Sequence, residues 1–298
     1  MPLYELHDET GPAGRPEMRL TAPVIVAALD GWVDAGSAGT LAAARLAEDG
    51  TLVATFDSDA IFDYRVRRPT LEISDGRPVS MEWATLTLTH ARIGERDLLV
   101  LSGAEPDYRW HQLAGDMVDL ARRLGVVGWA SLGAIPAAVP HTRQVPVLAT
   151  ASAPGLLPEG IKQGPDGVLR VPAAALSVME VEMAAAGIPA VGFFAQVPHY
   201  VNASYPAASI ALLTALGKYI GVEIPMGSLA ARALERRNVL DAATAADDDT
   251  RAHVERLELL ADQARLPEGD ELIADIERYL RQRGGNGEPE GGGGSKLN

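Results

Sequence analysis

The chain has 298 residues, 47% of them hydrophobic, enough to bury the core of one large domain or two ordinary ones, which excludes a disordered protein. A net charge of −14 opposes phosphate backbones and anionic lipid, excluding nucleic acid and membrane as general partners. With no cysteine, disulfides, thiolate nucleophiles and cysteine metal sites are excluded together.

No stretch approaches the ~18 uninterrupted apolar residues of a membrane helix. The opening MPLYELHDETGPAG has no basic region followed by an apolar block, so the expected location is the cytoplasm.

In chain order, PVIVAAL (Pro23 to Leu29) reads as a buried strand, Gly36 to Glu48 as an Ala-rich helix and TLVATF (Thr51 to Phe56) as a strand. Together they predict a βαβ unit with a parallel pair. Asp63 to Arg77, DYRVRRPTLEISDGR, reads as a loop or hairpin. Met81 to Ile93 alternates polar and apolar residues, as a half-exposed antiparallel strand does. Asp97 to Gly103 is a buried strand, Arg109 to Leu124 a helix and Val126 to Gly133 a strand. Val145 to Ala151 (strand), Ala174 to Ala186 (helix), Ala190 to Val197 (strand) and Pro206 to Tyr219 (helix) continue the alternation. The expected fold class is α/β: a three-layer α/β/α sandwich with a mixed sheet and a C-terminal helical appendage.

After Pro225 the strands stop. Met226 to Asn238 is helical in pattern. Arg251 to Ala264 places Val254, Leu257, Leu260, Ala261 and Ala264 on one stripe, and Asp270 to Arg281 carries another. From Gly284 onward the composition is that of a flexible tail. The expected organisation is an α/β domain over 1–225, a helical segment over 226–283 and a tail over 284–298.

The stretch LDGWVDAGSAGTLAAARL, from Leu29 to Leu46, has the outline of a nucleotide site. Its glycines, Gly31, Gly36 and Gly39, miss the G-x-G-x-x-G spacing of a dinucleotide fold. Gly31 and Gly36 fit P-loop spacing, but Ser37 stands where the lysine belongs and Ala38 where the hydroxyl belongs. Asp34 would repel a phosphate and is better placed to cap the following helix. The loop reads as a capped strand-to-helix turn, beyond a strand's carboxyl end where open α/β sheets place their sites. No phosphate cofactor, indeed no cofactor, is expected. No metal site is expected either, since histidines at H-x-x-x-H spacing are lacking.

Four separated segments, LDGWVDAGSAG, LSGAEPDYRW (Leu101 to Trp110), GAIPAAVPHTR (Gly133 to Arg143) and VPHYVNASYPAAS (Val197 to Ser209), resemble the proteasome assembly chaperone 2 family in its actinobacterial branch. The resemblance spans about Val24 to Pro225 and implies a fold similar to nucleoside phosphorylases and peptidyl-tRNA-hydrolase-like proteins. It implies a non-enzymatic assembly or interaction protein with a proteasome-related partner. With the C-terminal stripe it also implies a homo-oligomer, a trimer among the options. Some archaeal relatives engage the proteasome through a C-terminal hydrophobic-Tyr-X motif, from which Lys296-Leu297-Asn298 departs.

The same segments define the candidate site. Asp34, Glu105 and His199 follow strand ends and would serve an alternative function as a small-molecule hydrolase, nucleosidase or transferase. Trp32, Tyr108 and Tyr200 could wall a ring-shaped ligand, with Trp110 and Tyr205 nearby. His141, like His199, follows a proline and reads as a hydrogen-bonded structural residue or a ligand contact. Arg65, Arg67 and Arg68, with Arg77 beyond, are either surface arginines paired locally or an anion or subunit contact.

Overall fold

The structure is a computed structural model, and it describes residues 1–7, 20–161, 163–165 and 167–264. The helix expected over Asp270 to Arg281 and the tail from Gly284 lie outside the described residues.

Eight strands form one mixed sheet. In chain order they are β1 (Tyr4–Leu6), β2 (Val24–Asp30), β3 (Thr51–Phe56), β6 (Leu86–Ile93), β7 (Arg96–Ala104), β8 (Gly128–Ala137), β9 (Val147–Ala151) and β10 (Ala190–Pro198). The spatial order is β1-β3-β6-β7-β2-β8-β10-β9. The central four, β7, β2, β8 and β10, are mutually parallel, and every outer pairing is antiparallel. The sheet is therefore mixed, as expected.

One expectation fails. β2 and β3 are not neighbours, because the β6–β7 pair sits between them. Periodicity sees a strand, a helix and a strand but is blind to a hairpin that arrives later in the chain and takes the position beside β2. The alternating segment also divides: Met81 and Glu82 close one strand, Leu86 opens β6, and residues 83–85 between them are not strand.

Two cores flank the sheet, and the pleat explains them. On β2, Ile25, Ala27 and Leu29 face α3 (Trp110–Arg123) and α4 (Ala175–Ala185), packing among Leu113, Met117, Leu176 and Met179. Val26 and Ala28 face α1 (Ala38–Ala47) and α5 (Pro206–Ile220), among Ala42, Leu46, Leu212 and Leu216. Burial on both faces is why these strands read as continuous apolar runs. Each buried leucine-sized side chain is worth about 1.5–3 kcal/mol.

Outside this sandwich, α2 (Ser58–Ile61) leads into a separate two-stranded hairpin, β4 (Thr70–Ser74) and β5 (Arg77–Glu82). At the other end, α6 (Leu229–Ala246) and α7 (Asp248–Ala264) form the helical appendage. The α7 stripe is narrower than expected: Val254 and Leu257 are buried, whereas Leu260 is exposed. Polar contacts help hold α7 instead. Arg143 forms a two-pronged pair with Asp262, at 2.9 and 2.8 Å, and reaches Glu258 at 3.2 Å, while Thr142 donates to Glu258.

Candidate functional site

Because β7, β2, β8 and β10 run parallel, the segments after their carboxyl ends share one rim. That rim carries Trp32, Asp34, Glu105, Tyr108, His141, His199 and Tyr200. Sharing an edge does not make them converge, and their hydrogen bonds divide them into four groups.

Asp34 belongs to α1. Its Oδ1 accepts from the Gly39 and Thr40 backbone amides at 2.7 and 3.3 Å, and its Oδ2 accepts from the Thr40 hydroxyl. Ser37, the residue directly before the helix, is left-handed at φ 51° and makes no cap with its side chain, so Asp34 supplies the cap from three residues further back. Burial pushes the Asp34 carboxyl above its ordinary range, and the bonds from Thr40 and Gly39 pull it back. Removing the cap in Asp34→Ala is expected to cost about 1–2 kcal/mol by urea unfolding. Asp34→Asn keeps an acceptor for Gly39 and should cost under about 1 kcal/mol; equal losses in both would reject the capping account.

Asp34 also borders a cleft of about 340 Å³ that runs along Gly36, Ser37, Pro136, His199, Asn202 and Ser204. Of the three candidate acid/base residues, Asp34 and His199 line this cleft and Glu105 does not.

Glu105 is buried at 8% exposure. Its Oε2 accepts from the Trp32 amide and its Oε1 from the Ala175 amide, both at 2.8 Å. Ala175 opens α4, whose flanking residue Ala174 has no capping side chain, so Glu105 caps this helix from another strand end. The carboxylate occupies the place a side chain at Gly31 would need: a Cβ there would lie 2.2 Å from Glu105 Oε2. Gly31, the first glycine of the nucleotide-like loop, makes room for this carboxylate. Trp32 itself is exposed.

Tyr108 forms a third group with the arginine segment. Its hydroxyl donates to Asp63 at 2.9 Å, and Arg67 lies 3.7 Å from Asp107. These contacts tie the root of the hairpin to the rim. Among the described residues, Arg68 and Arg77 form no ion pair.

His141 and Tyr200 form the fourth. The His141 amide donates to the Tyr200 hydroxyl at 2.8 Å, and that hydroxyl lies 2.7 Å from His141 Nδ1. His141 Nε2 lies 3.1 Å from Asp241 on α6. One tautomer satisfies all three: Nε2–H donates to Asp241 and the Tyr200 hydroxyl donates to Nδ1. Arg237 closes the circuit, pairing with Asp241 at 2.9 Å and donating to the His141 carbonyl at 3.0 Å. His199 and His253 stack edge-on near Tyr200, at ring separations of 5.6 and 6.1 Å.

The pairing of His141 with α6 gives a pH prediction. Burial lowers the His141 pKa below its ordinary 6.5, against the opposing pull of Asp241. The folded protein thus prefers the neutral ring. Its contribution is complete above pH 6.5 and is lost as pH falls below 6.5 towards the lower folded value. Thermal unfolding should show Tm falling from pH 7.5 to 5.5, with a shallower slope in His141→Asn. Identical slopes would disprove the assignment.

The partners Asp241, Arg237, His253 and Glu258 gave no sequence signal, because each meets its counterpart about 50 to 120 positions away in the chain. Glu180 is a further unheralded group: Ser131 and Thr150 both donate to it at 3.0 Å, and burial pushes its carboxyl up.

The PAC2 family profile matches residues 28–244. The chain belongs to the PAC2 family. It is similar to a Corynebacterium glutamicum protein of unknown function at 31% identity, with TM-score 0.78, covering 93% of this chain and 99% of that one. A Mycobacterium tuberculosis protein of unknown function is 35% identical, with TM-score 0.79 over 87% of this chain and 91% of the other. A second M. tuberculosis protein, described as a proteasome-assembly chaperone homologue, is 33% identical, with TM-score 0.71 over 78% of this chain and 99% of that one. At the level of fold alone, the chain is also similar to a Pyrococcus furiosus archaeal proteasome activator, at 19% identity and TM-score 0.61. No curated protein matches. The PAC2 assignment agrees with the four segments that carried the resemblance and with the mixed sheet between two helical layers.

Proposed function

We propose that this PAC2 chain is a non-enzymatic interaction protein that acts on a proteasome-related partner and works as a homo-oligomer. The observation that carries the reading is that both rim carboxylates are committed to donors of their own chain, backbone amides and, at Asp34, the Thr40 hydroxyl as well. Asp34 caps α1 and Glu105 joins Trp32 to Ala175, so neither presents a free basic oxygen to a substrate. His199, the third candidate, is exposed and bonded through Nδ1 to the Ala137 carbonyl at 3.2 Å. The relative described as a proteasome-assembly chaperone homologue and the archaeal proteasome activator support the choice of partner.

The test is binding of the purified full chain to isolated α-type proteasome subunits, followed by light scattering. Saturable binding that survives Asp34→Asn is expected. Failure to bind, together with turnover or saturable binding of a nucleoside-like ligand abolished by Asp34→Asn, would favour the small-molecule enzyme using the Asp34 and His199 cleft.

A further inference from the structure

Among the described residues, nothing covers the β4–β5 hairpin. All fourteen residues from Thr70 to Trp83 are exposed, including Leu71, Ile73, Val79, Met81 and Trp83. Its strands are nonetheless amphipathic. Leu71 lies opposite Met81, and Ile73, two residues along, projects to the same side. Glu72 and Ser80 occupy the other face and bond to each other at 2.7 Å. A register shift next to Ile73 leaves Val79 as the extra residue. An isolated two-stranded hairpin is marginal in water and needs its apolar face packed. Within the chain the hairpin is held at its root, where Trp83 meets Tyr64 edge-on at 4.6 Å.

Charge selects the occupant. From Asp63 to Glu82 four arginines balance four carboxylates, so the whole of the chain's −14 lies outside this arm. Two copies approaching body to body would repel. An approach through the arm brings an apolar face and the exposed guanidiniums of Arg68 and Arg77, which form no ion pair among the described residues, against an acidic surface. One side of a stable interface takes about 20–30 residues. The fourteen of the hairpin, with Arg65, Val66 and Arg68 at its base, make up most of that number.

We propose that the β4–β5 arm packs, apolar face down, on a second copy of this chain. The contact rests on the homo-oligomer half of the function proposed above and not on its proteasome half, whose separate test is subunit binding.

The experiment is sedimentation of the full chain over a hundredfold concentration range, for wild type and for the double variant Ile73→Asp, Met81→Asp. Both positions are exposed, so the variant should keep its circular dichroism spectrum. Leu259→Asp, on the exposed side of α7, is the control. Wild type and control should associate, and the arm variant should dissociate at least a hundredfold more readily. Arg68→Glu with Arg77→Glu should weaken association about tenfold at low salt. A wild-type monomer throughout, or association unchanged in the arm variant, would overturn the proposal.

Discussion

Replacing Gly103 with alanine is expected to cost about 4 kcal/mol or more, a large share of a typical domain stability of about 5–15 kcal/mol. Two independent causes act at this position. Gly103 holds φ at +138°, a region closed to L side chains, and a Cβ there would lie 2.0 Å from the Thr85 carbonyl oxygen and 2.9 Å from Leu86 Cα. Both obstacles are backbone, and the Thr85 carbonyl is pinned by the Ala104 amide at 2.9 Å. Relief would require β6 and β7 to separate at the rim. Gly76 separates the two causes: its φ is +73°, and nothing lies within 4 Å of an added Cβ. Gly76→Ala should therefore cost only about 1–2 kcal/mol, the left-handed penalty alone. Urea unfolding of the pair decides the matter, and equal losses would mean that the Thr85 backbone yields.

The sequence places Gly103 at the end of a buried strand but does not show the close approach of β6. The distinction marks what was legible throughout. The runs PVIVAAL and DLLVLSG announced buried strands because both of their faces pack on helices, and the Ala-rich pattern after Gly36 announced α1. Strand order was not legible, since β6 enters beside β3 through long-range pairing that leaves no local trace. Neither was the hairpin's exposure. Leu71, Ile73, Val79 and Met81 have the composition of a covered strand, and only the structure places them outside both cores.

The candidate site was legible in part for the same reason. Parallel strands put the loops at one edge, so the rim followed from the pattern of elements. What each carboxylate does there depends on which backbone amides lack a partner, and that is a property of the assembled fold. The capping role of Asp34 could be read because its helix follows at once. Glu105 serves a helix seventy positions later, so nothing local pointed to it.

Glu105 therefore offers the sharper test of structure against catalysis. In Glu105→Ala the Trp32 and Ala175 amides lose a charged acceptor, each such bond being worth about 1.5–3 kcal/mol, so a loss of about 3–6 kcal/mol is expected. Part of it is electrostatic, since a carboxylate at the start of α4 also meets the positive end of the helix dipole. Glu105→Gln keeps the shape and one acceptor oxygen, but its amide nitrogen faces one of the two N–H groups, donor against donor; about 1.5–3 kcal/mol should be lost. Hydrogen exchange gives a local readout: the Trp32 and Ala175 amides should exchange faster in the Gln variant, while amides in the centre of β2 should change only as far as global stability does. A catalytic acid would behave otherwise. The Gln variant would then keep full stability and unaltered exchange at both amides and lose only turnover, and that combination would refute the structural role assigned to Glu105.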